Sequence, residues 1–171
     1  MDEEFKAKKL RNERKFSQWE ELPLGGRKYW HEVVGKFGFK ARYVKEVDER
    51  EETIRFRQEI YGSEGTLIEI HEKFPVDLGH RRAKEGGMKV SKEDVANKIL
   101  AYLNRSISLE QIVDWAEDMI CEAEYDEKDF ELIKDILGHL GLADVKEFGL
   151  SWDDCYNYLS RLGYQVKVTV H

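Results

Sequence analysis

The sequence predicts an α+β protein: an N-terminal antiparallel β-meander of about five strands with one leading helix, followed by a four-helix C-terminal half that ends in a short strand. Two observations predict this class. Apolar residues alternate with polar ones between residues 15 and 74, and from residue 91 onward they recur with the period of a helix. The charge changes at the same place, because residues 1–87 carry a net charge of +1 and residues 88–171 carry −8.

These changes predict three segments. We expect a β-rich domain over residues 1–83, a linker over residues 84–90 and an acidic helical domain over residues 91–171. A chain of 171 residues with 41% apolar residues is long enough for two small domains with buried cores, or for one larger core shared by both halves.

In the first half, a helix is predicted over residues 2–13. Five β-rich runs follow, separated by turns, and residues 53–61 show the alternation best, with Ile54, Phe56, Gln58 and Ile60 on one face. We expect the N-terminal helix or the second half to cover the apolar face of the sheet. The predicted strands are residues 15–22, 27–36, 37–47, 53–61 and 66–74.

In the second half, Ser91, Ser108 and Ser151 each precede a helical apolar pattern and have an acidic or amide residue three positions later, which predicts three capped helix starts. Asp126 is predicted to open a further helix, between the second and the last of these. The alternating run over residues 164–170 predicts a final strand, which needs a partner at an edge of the β half.

Several classes of protein are excluded by composition and motifs. The charged N-terminus does not fit a signal peptide, and no apolar run is long enough to cross a membrane, so we expect a cytoplasmic protein with no membrane contact. Cys121 and Cys155 are far apart and form neither a disulfide framework nor a zinc motif. No phosphate loop, metal-ligand spacing or nucleophile elbow occurs, so we expect no cofactor and no metal.

The segment after residue 75 carries the strongest chemical signal. His80 can exchange a proton near neutral pH, and Arg81 and Arg82 can stabilise a charged phosphorane-like transition state, as a metal-independent ribonuclease requires. His71 could add a second acid or base, and Asp77 could orient an imidazole. The alternative is a basic tail in which His80 caps a turn and the arginines pair with surface acids.

Charge suggests partners for both halves. Residues 5–42 hold 11 basic and 4 acidic side chains, which favours RNA as a partner, although a solvated surface would have the same composition. Nine carboxylates between residues 114 and 131 form either a solvated helix face or an imitation of a phosphate backbone that covers a basic surface.

The ending of the first half, "IYGSEGTLIEIHEKFPVDLGHRR" over residues 60–82, resembles the ending of the TumE-type toxins of bacterial type II toxin–antitoxin systems. The matching positions are Asp77, His80 and Arg81. Leu78 and Gly79 separate the acid from the histidine, and Arg82 stands in place of a second histidine. The resemblance implies an RNA-directed toxin half that an antitoxin half keeps silent.

Lys84 to Met88 can be encoded with a ribosome-binding sequence ahead of an ATG codon, so Met88 is either an internal start, the record of a gene fusion, or a chance residue in an ordinary linker. The leading hypothesis is a fused toxin–antitoxin-type protein with the two halves packed together and RNA as its target. The alternatives are a non-enzymatic two-part binding or scaffold protein and a plain nucleic-acid-binding module. A homo-oligomer is compatible with all three.

Overall fold

The computed structural model of the chain describes residues 2–74 and 88–171. The chain divides into two compact units, Met1–Arg82 and Ala83–His171. The first contains a helix and an antiparallel sheet and the second is mainly helical, which confirms the predicted α+β class.

The first unit begins with helix α1, Glu3–Lys15, which runs two residues beyond its predicted end. Asp2 caps it by accepting a hydrogen bond from the Glu4 backbone N–H at 3.3 Å, and acidic residues occupy its first turn. Phe16 ends the helix in extended backbone and turns the chain toward the sheet.

The five predicted strands form one antiparallel meander, with strand order equal to sequence order. The β2–β3 hairpin contains a 3₁₀ turn at Lys36–Gly38. The β4 bounds coincide with the prediction. The strands are β1 Gln18–Glu21, β2 Arg27–Val34, β3 Lys40–Val47, β4 Thr53–Tyr61 and β5 Leu67–Phe74.

One face of this sheet carries most of the apolar core of the first unit. Phe56, Gln58 and Ile60 of β4 are buried on it as predicted, but Ile54 is 47% exposed. Phe16, which ends α1, packs on this face, because its ring centroid lies 6.0 Å from that of Tyr29. The other core residues on this face are Val33, Ala41, Tyr43 and Val47.

In the second unit, the three predicted serine caps are confirmed as capping boxes. Asp126 instead caps a 3₁₀ turn, Glu127–Asp129, so the third helix begins later than predicted, at Phe130. The helices are α2 Lys92–Leu103, α3 Leu109–Glu122, α4 Phe130–Leu140 and α5 Trp152–Arg161.

Short extended segments depart from the sequence prediction. In the second unit, β6, Lys89–Val90, precedes α2 and β7, Glu124–Tyr125, follows α3. These two segments pair in parallel, which the sequence did not predict. The predicted final strand is wrong, because residues 164–170 have no regular secondary structure. Alternation makes a strand only where a neighbouring strand supplies hydrogen bonds, and no strand in the described ranges 2–74 and 88–171 pairs with this run.

Candidate functional site

Of the five predicted site residues, His71 lies in the part of the chain that the structure describes. Asp77, His80, Arg81 and Arg82 lie outside the described residues, so their predicted roles stay predictions. The predicted linker overlaps the described chain only at its end, where Met88 directly precedes β6.

His71 belongs to a row of polar side chains that crosses four strands on one face of the sheet. The register pairs His31 of β2 with Tyr43 of β3, Tyr43 with Gln58 of β4, and Gln58 with His71 of β5. Directly opposed residues of antiparallel strands point to the same face. We name these four residues the polar row.

The centre of the polar row is buried and its ends are more accessible. Tyr43 and Gln58 are both fully buried, and the Tyr43 ring stacks on Phe56 with 6.1 Å between centroids. The Gln58–His71 pair lies between two register shifts of the β4–β5 ladder, and such bulges are over-represented next to active sites.

Each histidine at an end of the row has a polar side-chain contact. His31 Nδ1 lies 3.0 Å from the Ser17 hydroxyl, which precedes β1, and His71 Nε2 lies 2.7 Å from a carboxylate oxygen of Glu69. A contact at one ring nitrogen fixes the orientation of the imidazole ring. The sequence had indicated His71 only.

Distance limits how these histidines can cooperate. Three strand spacings separate the two positions, so their Cα atoms lie roughly 14 Å apart. The two rings are therefore too distant to act as acid and base on one phosphodiester. Each would need a different partner for that chemistry.

His31 could have been suggested by sequence, because the alternation of residues 27–36 places it on the same face as Tyr29 and Val33. What the sequence could not supply is the register that aligns it with His71 three strands away. Register depends on turn lengths and bulges rather than on any one strand's pattern.

Beside the polar row lies a buried hydrogen-bonded cluster, which we name the Glu51 cluster. Glu51 accepts hydrogen bonds from Tyr29 Oη at 2.9 and 3.0 Å and from Asn12 Nδ2 at 2.9 Å. Asn12 Oδ1 in turn accepts one from Lys45 Nζ at 3.1 Å. All four side chains are at most 4% exposed, so the amide of Asn12 connects a buried anion to a buried cation.

The Glu51 cluster also affects backbone and ionisation. Glu51 has a φ of 63°, a left-handed conformation that is uncommon for a residue with a side chain. Burial raises the pKa of the Tyr29 hydroxyl well above its usual range, the neighbouring Arg27 opposes that shift, and Glu51 reinforces it. Tyr29 is therefore held as a neutral donor to Glu51.

The opposite face of the sheet carries alternating charges that pair across strands. Arg57 donates to Glu46 at 2.7 Å and to Glu59 at 2.9 Å, and Arg55 contacts Glu72. Burial opposes ionisation of Glu59, but hydrogen bonds from Tyr61 and Arg57 outweigh it and lower the pKa of this carboxyl group. These pairs make the face internally balanced.

The basic stretch over residues 5–42 is also partly paired. Arg27 donates to Glu13 at 2.8 Å and Lys28 to Glu20 at 3.3 Å. Arg42 lies 3.4 Å from Glu32, and Lys8 pairs with Glu4 and Glu52. Part of the basic charge of residues 5–42 is therefore neutralised by ion pairs, and the net excess of +7 remains.

The acidic run in the second unit is not a uniformly solvated face. Glu117 is 5% exposed within α3, and Asp126 accepts a hydrogen bond from the Lys128 backbone N–H. Glu122, Glu124, Glu127 and Glu131 are exposed. The acidic surface is thus narrower than the sequence run.

An open cleft of about 570 Å³ lies in the second unit between the α2–α3 connection and the start of α5. Arg105, Gln111, Trp152 and Cys155 line it. Burial, and then the charge of Asp154, raises the pKa of the Cys155 thiol to about 11, so this cysteine is a protonated thiol near neutral pH and a poor nucleophile.

Metal-binding clusters and membrane-spanning helices are both absent from the described residues. Residues 2–74 and 88–171 contain no group of three or more His, Cys, Asp or Glu side chains that could hold a metal ion. Within the same ranges no helix has the length and apolarity needed to cross a bilayer.

The fold and the site define a two-unit α+β protein, with a polar row on the sheet of one unit and an acidic surface on the helices of the other. Comparisons with protein-family models, curated proteins and solved structures found no match for this chain. Its candidate site therefore rests on its own geometry and on the resemblance of residues 60–82.

Proposed function

We propose that the chain is a fused toxin–antitoxin-type protein. Its first unit is an RNA-directed, metal-independent ribonuclease-like toxin, and its acidic helical unit keeps that toxin silent. The polar row carries the proposal, because it aligns two histidines, a tyrosine and a glutamine on one face of a small sheet. The resemblance of residues 60–82 to the TumE-type ending supports it.

The reaction requires one base and one acid. The base takes the proton of an RNA 2′-hydroxyl, whose oxygen attacks the adjacent phosphorus. The bond to the 5′-oxygen then breaks and the acid protonates the departing oxygen, which leaves a 2′,3′-cyclic phosphate and a 5′-hydroxyl. We assign one of these roles to His71 and the other to His80, with Arg81 and Arg82 as the fixed cations.

His31 has a separate role in this scheme. Because it lies roughly 14 Å from His71, it contacts a neighbouring nucleotide rather than the scissile phosphate. Loss of His31 is therefore expected to weaken RNA binding more than the chemical step.

The short connection between the units explains the silence. A tether of a few residues gives two modules a mutual effective concentration on the order of millimolar, so a modest interface stays closed. The net charge of −8 in residues 88–171 is suited to covering a cationic RNA-binding surface.

The proposal is tested by separating the units at Met88. Residues 1–87 are expressed in bacteria from a tightly repressed promoter, alone and with residues 88–171, and growth is recorded. We expect growth arrest by residues 1–87 and its relief by residues 88–171. Normal growth with soluble, folded residues 1–87 would contradict the proposal.

A second arm locates the site. Variants His71→Ala and His80→Ala are expected to abolish toxicity and cleavage of purified RNA, whereas His31→Ala is expected to raise KM. The matched control is Glu64→Ala, an exposed residue of the β4–β5 turn, which should leave both unchanged. Cleavage should persist in excess chelator, since no metal is invoked.

One observation favours the non-enzymatic alternative, a two-part binding or scaffold protein. The charged face of the sheet is already paired through Arg57, Glu46 and Glu59, as expected of a surface built for stability rather than for RNA. In that case His71→Ala and His80→Ala change neither growth nor RNA cleavage, and the full chain binds a protein partner through its acidic helices.

A further inference from the structure

Strand β5 forms one edge of the five-stranded sheet. β5 pairs with β4 on one side, and no strand among residues 2–74 and 88–171 pairs with its other side. An edge strand of eight residues presents a row of backbone donors and acceptors that can pair with another chain.

This edge combines exposed aliphatic side chains with charged ones. Leu67, Ile68 and Ile70 are 44%, 57% and 47% exposed. Natural edges are usually blocked by charges, by bulges, by proline or by very short strands. Glu69, Glu72 and Lys73 and two register shifts protect β5 in part, but β5 has eight residues, whereas β1 at the opposite edge has four.

In one antiparallel register the centre of β5 matches the same strand of a second copy. If two copies pair about a twofold axis through Ile70, then Ile70 faces Ile70 and each Glu69 faces the partner's His71. Residues opposed in this way lie about 4.5–5.5 Å apart. In the same register Ile68 faces Glu72 and Leu67 faces Lys73 at the ends of the pairing. Moving the axis to Glu69 would place two carboxylates opposite each other, and moving it to His71 would place two imidazoles opposite each other.

We propose that β5 is a self-association edge, at which a second copy of this chain continues the sheet by antiparallel β5–β5 pairing centred on Ile70. The pairing joins two five-stranded sheets into one of ten strands. A single strand pair buries less than the roughly 1,200–2,000 Å² typical of stable complexes, so the dimer is weak and depends on concentration.

The first test measures the size of the full-length protein by sedimentation velocity from low micromolar to near-millimolar concentration. We expect a reversible monomer–dimer equilibrium. Ile70→Lys should raise the dimer dissociation constant at least about tenfold, because it places two cations opposite each other. The control Leu24→Lys changes an aliphatic residue that is 97% exposed in the β1–β2 turn and should have no effect.

The second test covers the outcome that Ile70→Lys unfolds the protein. Ile70→Cys is oxidised near the top of the concentration range, and the paired positions fall within the Cα distance that a disulfide spans. We expect a disulfide-linked dimer from Ile70→Cys and none from Leu24→Cys, since Cys121 and Cys155 are buried. A monomer at every concentration, association that survives Ile70→Lys, or association without this crosslink would each overturn the proposal.

Discussion

The Asn12→Ala substitution tests how much the buried Glu51 cluster stabilises the first unit. Its side chain joins Glu51 to Lys45 in the buried Glu51 cluster, with contacts of 2.9 and 3.1 Å. Asn12→Ala removes two hydrogen bonds to charged groups, each worth about 1.5–3 kcal/mol. The higher helix propensity of alanine returns at most about 0.7 kcal/mol. We therefore expect the free energy of unfolding to fall by about 2 kcal/mol or more.

The assay must report on the first unit alone. Trp19 and Trp30 lie in the sheet unit, and Trp115 and Trp152 lie in the helical unit. In a Trp115→Phe/Trp152→Phe background, urea unfolding followed by tryptophan fluorescence reports the first unit. The control is Lys6→Ala, an exposed position of the same helix, which should change stability by less than about 0.5 kcal/mol.

A double-mutant cycle with Tyr29→Phe tests the connection itself. Both Tyr29 and Asn12 donate to Glu51, so their effects should differ from additivity by about 0.5–3 kcal/mol. A loss below about 1 kcal/mol for Asn12→Ala, or strict additivity in the cycle, would refute the reasoning. Water would then satisfy Glu51 and Lys45 as well as Asn12 does.

Three further predictions concern a turn, a helix cap and pH. Gly26→Ala should destabilise the first unit by at least about 2 kcal/mol, because φ is 81° and a Cβ would overlap the Val47 carbonyl oxygen. Gly65→Ala is its control in the same chemical denaturation assay, since φ is 80° there and nothing lies within 4 Å of the added Cβ. Ser108→Ala should cost about 1 kcal/mol by removing the α3 capping box, measured from the Trp115 signal, and Ser108→Thr should restore most of it. Alkali should unfold the protein. Burial raises the folded-state pKa of three tyrosines above 10.0, so the unfolded chain loses these protons at a lower pH than the folded chain does. The free energy of unfolding is therefore at its full value below about pH 10 and falls as the pH rises further. Tyrosinate absorbance and circular dichroism should therefore change together for these three, and ionisation without unfolding would contradict this. The tyrosines are Tyr29, Tyr125 and Tyr158.

Local patterns determined much of the fold. Ser91, Ser108 and Ser151 start helices because a serine hydroxyl and a residue three positions later satisfy each other's backbone N–H groups, which involves only neighbouring residues. The alternation over residues 53–61 likewise predicted β4 with its correct bounds. Such signals need no knowledge of distant parts of the chain.

The tertiary structure decided what depends on distant partners. Residues 164–170 alternate as a strand does, yet they form none, because pairing needs an edge in the right place. Arg57 and Glu59 are buried on the charged face because Glu46 of β3 accepts from Arg57 and Tyr61 of β4 donates to Glu59. Burial of an ion therefore depends on what the neighbouring strands supply.

The candidate site shows the same division. Sequence could indicate His71 as an acid or base, because imidazole chemistry belongs to the residue itself. It could not align His71 with Gln58, Tyr43 and His31, because that alignment depends on four strands, their turns and the two register shifts of the β4–β5 ladder. The sequence thus determined three of the four helix starts of the second unit and the alternation of β4, and the register of the sheet decided which side chains share one surface.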